Sequence, residues 1–226
     1  MRKIHYRNIG FPKTGTNWIW VQLMQHPLVD CKLDHRYKEY KAKDINSYKR
    51  LYQNFNVSVN LDPHVFYDMY DKDYYARPEN IHEHTTHITM ILRNPYEVLN
   101  SMYNMERNRR DINFSGSKKD YTNLDSNIVK RYSDFKHVFD YWSVCKLTTK
   151  YMFYDDLTND PKRFMYDICE HIGIKPFCNT SRGKAFPTDK KDPLVFDNID
   201  TIDYINRGIS VIEDKLGRDL SHWKQK

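Results

Sequence analysis

The stretch Ile9–Met24, IGFPKTGTNWIWVQLM, constrains this chain more than any other. Ahead of it Ile4, Tyr6 and Ile9 mark a short apolar-alternating segment, the pattern of a strand. Gly10-Phe11-Pro12-Lys13-Thr14-Gly15 then forms a tight loop, and the residues that follow suit a helix that stops near His26-Pro27. Strand, loop and helix in this order aim several backbone N–H groups at one point, where the helix macrodipole also favours negative charge. A phosphate or sulfate group suits such a site. Lys13 adds a full positive charge inside the loop.

Gly10 and Gly15 keep the spacing of the nucleoside-triphosphatase loop GxxxxGK(S/T), but Thr16 and Asn17 follow the second glycine. The lysine has moved into the loop, and the magnesium-binding hydroxyl has no clear counterpart. PKTGTNW instead resembles the PK(S/T)GTTW loop of sulfotransferases, which holds the 5′-phosphosulfate of 3′-phosphoadenosine 5′-phosphosulfate (PAPS). That resemblance implies that Lys13, Thr14, Gly15, Thr16 and Asn17 bind the cofactor.

A second signature stands at residues 91–103. Ile88 to Leu92 is a continuous apolar run rich in β-branched residues, as expected of a buried parallel strand. Arg93-Asn94-Pro95 ends it, with Asn94 placed to cap a helix and Pro95 in its first turn. Ser101 then lies about 9 Å along that helix from Pro95, so that Arg93 and Ser101 are suited to grip one phosphate from two sides. ILRNPYEVLNSMY resembles LRNPxDxxxSxY of the same family, whose arginine and serine bind the cofactor's 3′-phosphate.

Further matches are partial. Lys38-Glu39-Tyr40 resembles the Lys-Glu pair of KExHFFD in heparan-type sulfotransferases, where the glutamate lies beside the acceptor. Asp44 falls on that motif's final aspartate, while Lys41 replaces its histidine and the aromatic pair is lost. Asn56 to Leu61 alternates as a strand and is ended by Asp62-Pro63-His64, at the kind of strand end where open parallel sheets bind ligands. This place corresponds loosely to the EK(S/T)P and KTH segments of the family. Glu39, His64 and Asp62 are the candidate bases. Near the C-terminus, Ser181-Arg182-Gly183-Lys184-Ala185-Phe186-Pro187 resembles SKGRxYP with lysine and arginine exchanged, which implies that Arg182, Gly183 and Lys184 contact the 3′-phosphate side. Tyr154-Asp155-Asp156-Leu157 with Asp160-Pro161 resembles the family's YEDL…DP segment, and places Tyr154 near the adenine.

The rest of the chain reads as scaffold. Helices are expected over the stretch holding Ile45 to Phe55, over Leu124–Val144, from Asp160-Pro161 to Gly173, and over Ile199–Trp223, with a strand at Lys150–Tyr154. Met105–Lys119, with Arg107, Arg109 and Arg110, is expected to be an acceptor-side loop. His82, His84 and His87 have no patterned carboxylate or cysteine to complete a metal site, and none is expected.

With 226 residues, 39% hydrophobic and 15% aromatic, the chain is long and apolar enough to bury a core as one domain spanning residues 1–226. No apolar run approaches the roughly 20 residues of a membrane span, and the N-terminus lacks a signal-peptide core. Cys31, Cys145, Cys169 and Cys178 are scattered without CxxC spacing, which points to a reduced, cytoplasmic protein. The sequons at Asn56, Asn113 and Asn179 are then chance matches. The 36 basic and 30 acidic residues are interleaved and no nucleic-acid motif is present, so that a locally positive site for a polyanionic cofactor and a generally solvated surface explain the formal charge of +6 equally well. Neither a nucleic-acid nor a membrane partner is expected, and these features fix no oligomeric state.

The resemblance implies an α/β fold, a three-layer sandwich around a central parallel sheet with a P-loop-like phosphosulfate-binding loop. It implies transfer of a sulfuryl group from PAPS, leaving 3′-phosphoadenosine 5′-phosphate (PAP), to a hydroxyl or amine of a small-molecule or carbohydrate acceptor. Two other readings stay open at this point: a kinase-like P-loop phosphotransferase, and a non-catalytic anion- or glycan-binding module on a decayed sulfotransferase scaffold.

Overall fold

The structure is a computed structural model and describes residues 3–29, 56–60, 77–79, 81–83, 85–108, 116–179 and 192–226. These fall into two compact units, one from Met1–Leu92 and Ser143–Phe186, the other from Arg93–Trp142 and Pro187–Lys226.

The first unit is built on a four-stranded, all-parallel sheet. Its strands are β1 (Ile4–Asn8), β2 (Val57–Asn60), β3 (His87–Leu92) and β4 (Thr149–Phe153), in the order β2-β1-β3-β4. Tyr6 of β1 lies level with Val59 of β2 and His87 of β3, and Met90 of β3 with Tyr151 of β4. All four strands coincide, within a residue or so at the ends, with the apolar segments of the sequence. β3 carries five buried residues in succession, as a central parallel strand covered on both faces must.

Among the described residues of this unit the α-helices are α1 (Thr16–Gln25) after the Gly10–Gly15 loop, then α6 (Tyr154–Asn159) and α7 (Pro161–Ile172) after β4. Their apolar stripes meet one face of the sheet. Ile19 and Leu23 of α1, Leu157 of α6, and Phe164, Ile168 and Ile172 of α7 form one core with Tyr6, Val57, Ile91 and Met152. Trp18, Trp20 and Met24 pack against its edge. The start of α7 follows from its sequence: the Asp160 side chain accepts from the Arg163 N–H, and Pro161 occupies the first turn, where its missing N–H costs nothing. Gly173, in the left-handed region at φ 74°, ends it.

The second unit is helical. It contains α2 (Pro95–Asn108), α3 (Lys118–Thr122), α4 (Asn127–Ser133), α5 (Phe135–Trp142) and α8 (Ile199–Leu216). Ile205, Ile209 and Ile212 of α8 are fully buried, and the helix packs on α4 and α5. The contact is close: a Cβ on Gly208 would stand 2.2 Å from the Ser133 carbonyl oxygen. Asn100 and Asn104 of α2 hold the segment before α8, with Asn100 Oδ1 accepting from the Leu194 N–H and Asn104 Oδ1 from the Asp192 N–H.

The sequence expectations fail in three places. The helix expected over Leu124–Val144 is two helices, because Asp134 ends α4 and its carboxylate accepts from the His137 N–H at the start of α5. The terminal helix stops at Leu216, where Gly217 adopts φ 64°, and a separate 3₁₀ turn covers Ser221–Trp223. The expected acceptor-side loop is helical at both ends, since α2 runs to Asn108 and α3 begins at Lys118. Arg107 there pairs with Asp192, which Lys118 also holds at 2.6 Å. Arg109 and Arg110 lie outside the described residues, as do His84 and the helix expected around Ile45–Phe55.

Candidate functional site

Among the described residues, the loop between β1 and α1 carries the densest set of conformational constraints. Ile9 continues the ladder beyond β1, its N–H donating to the Thr89 carbonyl at 2.8 Å. Gly10 then passes against β3, where a Cβ would lie 3.1 Å from Ile91 O and 3.2 Å from Ile91 N. Only a residue without a side chain fits there without displacing backbone. Phe11 and Thr14 are buried, and the Thr14 hydroxyl donates to the Phe11 carbonyl at 2.8 Å, tying the loop to itself.

Lys13 and Gly15 are both left-handed, at φ 67° and 84°. For lysine this conformation is strained by about 1–2 kcal/mol, and such strain persists where the surroundings over-determine it. At Gly15 an added Cβ would stand 2.4 Å from Leu157 Cδ2 and 3.3 Å from Tyr154 Cε2. The loop is thus wedged between β3 and the start of α6, and Tyr154 stands beside its last glycine.

Helix α1 opens without a side-chain cap and with no acidic residue in its first turn. The positive end of its dipole is therefore left for an external anion. Thr16 is buried in that first turn and Asn17 is exposed. Together with the half-exposed Lys13, this donor set matches a phosphate or phosphosulfate group.

Under the loop lies a buried polar chain that the sequence does not announce. The Thr89 hydroxyl donates to Asn8 Oδ1 at 3.1 Å, so the Tyr6 hydroxyl, 2.6 Å from Thr89 Oγ1, donates to Thr89 in turn. All three residues are buried, and burial drives the Tyr6 phenol far above its ordinary pKa of 10.0, keeping it a donor. Asn8 Nδ2 has no acceptor among the described residues. A second missed residue is Gln22, fully buried on α1 and bonded to Asn179. A polar residue between the core positions Ile19 and Leu23 was the available signal for it.

Arg93 and Ser101 belong to the second unit. Arg93 directly follows β3, and the Asn94 side chain caps α2 by accepting from the Tyr96 N–H at 3.0 Å, as the sequence predicts. Arg93 donates from Nε and Nη2 to Glu97 Oε2, both at 2.9 Å. An i,i+4 pair with a half-exposed carboxylate contributes only about 0.3–0.5 kcal/mol, less than the roughly 1.5–3 kcal/mol of a hydrogen bond to a charged group. Ser101 is half buried, six residues after Pro95 on α2. Glu39, Asp62, His64, Arg182, Gly183 and Lys184 lie outside the described residues.

A family model described as "Sulfotransferase domain" matches residues 8–202, which includes the loop, α1, β3 and α2. Solved structures share the fold. A sulfotransferase from Alicyclobacillus acidocaldarius aligns over 100% of both chains with a TM-score of 0.64 and 19% identity. The mouse sulfotransferase SULT7A1, solved in complex with PAP, aligns over 99% of this chain and 87% of its own, with a TM-score of 0.53 and 16% identity. The sulfotransferase domain from the curacin biosynthetic pathway covers 77% of this chain and 75% of its own, at a TM-score of 0.50 and 12% identity. No curated protein matches the sequence.

Proposed function

The chain belongs to the Sulfotransferase domain family, and from that premise we propose that it moves a sulfuryl group from PAPS to a hydroxyl or amine of a small-molecule or carbohydrate acceptor. The observation that carries the reading is the loop itself. It has two left-handed residues, an uncapped α1, no acid in the first turn, and a lysine in the middle.

Bound PAPS supplies the activated sulfuryl group, whose bond to the 5′-phosphate oxygen breaks as the acceptor oxygen or nitrogen bonds to sulfur. The protein's part is to position the groups in line and to stabilise charge on the leaving phosphate. Lys13 stands in the loop that holds that phosphate, and its ammonium neutralises the developing charge. The amides of Thr14, Gly15, Thr16 and Asn17 and the Thr16 hydroxyl are the donors for the same group, the Thr14 hydroxyl being given to the Phe11 carbonyl. Arg93 and Ser101 hold the 3′-phosphate, with Arg182, Gly183 and Lys184 as further contacts on that side. Glu39, His64 and Asp62 are the candidates to take the acceptor's proton. Tyr154 borders the adenine.

The heparan-type likeness of the Glu39 and Arg182 segments leans toward a carbohydrate acceptor, although loops on the cofactor side carry little information about the opposite pocket. Among the described residues no helix is long and apolar enough to cross a membrane, and Cys145, Cys169 and Cys178 are free thiols. A reducing, cytoplasmic setting suits them.

Calorimetric titration with PAP, compared with ATP plus magnesium, tests the reading on wild type, Lys13→Ala and Arg93→Ala. PAP is expected to bind wild type tightly and Arg93→Ala at least about tenfold more weakly, the loss of roughly one charge-assisted contact. Lys13→Ala is expected to stay folded and to lose transfer by about a hundredfold or more. Binding of ATP with magnesium in place of PAP, together with magnesium-dependent ATP turnover, supports a phosphotransferase instead. PAP binding with no transfer across a broad acceptor screen marks a decayed scaffold.

A further inference from the structure

The first turn of α2 is seated on the C-terminal part of the chain. Tyr96 is buried, and its hydroxyl lies 3.0 Å from Asn206 Oδ1 and 3.2 Å from the Ile202 carbonyl oxygen, two acceptors of α8 that share its proton. Its ring meets Phe196 edge-on at 4.9 Å. Burial, with the Asp203 carboxylate nearby, raises the pKa of this phenol and keeps it a donor. In the same turn Asn94 Nδ2 donates to the Trp223 carbonyl at 3.4 Å.

Asn206 also holds the chain beyond α8. Its Nδ2 donates to the Gln225 carbonyl at 2.7 Å, and its Oδ1 accepts from the Gln225 N–H at 3.2 Å. One side-chain amide thus serves both backbone groups of one residue, as a neighbouring strand would. That segment has its own anchors: Leu220 and Trp223 are buried, and the Glu213 carboxylate accepts from the Leu220 N–H at 2.8 Å and from Lys224 Nζ at 2.6 Å. Hydrogen bonds at a half-buried helix edge add little net stability, because water would serve the same groups. What the Asn206 amide adds is the joint position of α2, α8 and the segment after it.

The turn that it seats carries Arg93 and its partner. Arg93 directly precedes Asn94, and its Nε and Nη2 both donate to Glu97 Oε2 at 2.9 Å, one residue beyond Tyr96. We propose that Asn206 is a positioning residue for Arg93. By holding Tyr96 and the Gln225 backbone on a single amide, it fixes the first turn of α2, and with it the place from which the guanidinium is offered to the donor's 3′-phosphate. The inference rests on the PAP reading of Arg93.

The test compares PAP with adenosine 5′-phosphate, which lacks the 3′-phosphate, by calorimetry on Asn206→Leu. PAP affinity is expected to fall about fivefold, less than in Arg93→Ala because the guanidinium is displaced and not removed, while affinity for adenosine 5′-phosphate holds within about twofold. In an Arg93→Ala background, Asn206→Leu is expected to change PAP affinity by less than about twofold, since the coupling has lost its object. An equal loss for both nucleotides would overturn the proposal, because a merely structural role weakens both alike. So would unchanged PAP affinity in Asn206→Leu, or a fivefold loss that persists without Arg93. Failure of PAP to bind wild type, or undiminished binding to Arg93→Ala, would defeat the underlying reading and the proposal with it. Should Asn206→Leu not fold, Tyr96→Phe, which keeps the ring against Phe196 and removes only the hydroxyl, is read in the same way.

Discussion

Lys13 joins strain and function in one residue. Its left-handed backbone costs stability that a glycine would not lose, yet a glycine carries no ammonium. Lys13→Gly is therefore expected to melt above Lys13→Ala, by the equivalent of about 1 kcal/mol, with both inactive in transfer. Equal melting temperatures would show that the loop relaxes out of the left-handed region once the lysine is gone. Gly15 has the opposite constraint, since any side chain there meets Leu157 and Tyr154 at φ 84°. Gly15→Ala is expected to destabilise by about 2–4 kcal/mol, and Leu157→Ala in the same chain to recover less than its own cost suggests, because the φ strain remains. Differential denaturation of the three variants checks this. The glycines and the lysine were legible in the sequence as a motif. The left-handed φ of Lys13 was not, because nothing in residue type marks a lysine for that conformation.

At the level of elements, the legible features are those written in periodicity and caps. The strands, the Asn94 cap and the Asp160-Pro161 start are all local signals. The break at Asp134 was hidden because apolar residues run on through it in helical register, so that Tyr132, Phe135 and Val138 are buried on both sides of the break. Its carboxylate nevertheless acts as a cap, and Asp134→Ala is expected to lower stability by about 0.5–2 kcal/mol through the loss of the bond to His137 N–H. Across β1 and β3 the Tyr6–Thr89–Asn8 chain was hidden for a different reason: it depends on strand pairing over more than eighty residues. Thr89→Val conserves shape and leaves the Tyr6 hydroxyl and Asn8 without their partner, at a cost of about 1–3 kcal/mol by urea unfolding. Adding Tyr6→Phe is expected to restore part of that loss, since one orphaned group is then removed. A double variant as unstable as the sum of the singles would mean that Tyr6 finds another acceptor.

For the molecule as a whole, four apolar segments marked the strands and the family resemblance implied a parallel sheet, but neither showed how its amino ends are sealed. That closure is polar and long-range. His171 of α7 reaches β3, where its Nε2 donates to the Ile88 carbonyl at 2.9 Å, and its ring meets that of His87 edge-on at 5.6 Å. Burial pushes the His171 pKa below its ordinary 6.5, and the Lys150 cation acts in the same direction, while the Ile88 carbonyl opposes both. The folded state thus holds this ring neutral at pH values where the unfolded chain protonates it. The unfolded state then binds the extra proton, so stability rises with pH through this window and is lost as pH falls below about 6.5 toward the depressed value. Carboxylates act in a separate and lower range. The pKa values of Asp192, Asp219 and Glu213 are held down chiefly by Lys118, by the Ser221 N–H and by Lys224, and their contributions disappear only as pH falls through and below the ordinary 3.8 and 4.5. Melting temperature is therefore expected to decline in two steps on acidification. In His171→Gln, which keeps a donor for the Ile88 carbonyl but does not titrate, the upper step is expected to vanish while the lower one stays. An upper step of undiminished size in that variant would assign it to a different group, His87 being the neighbour to substitute next.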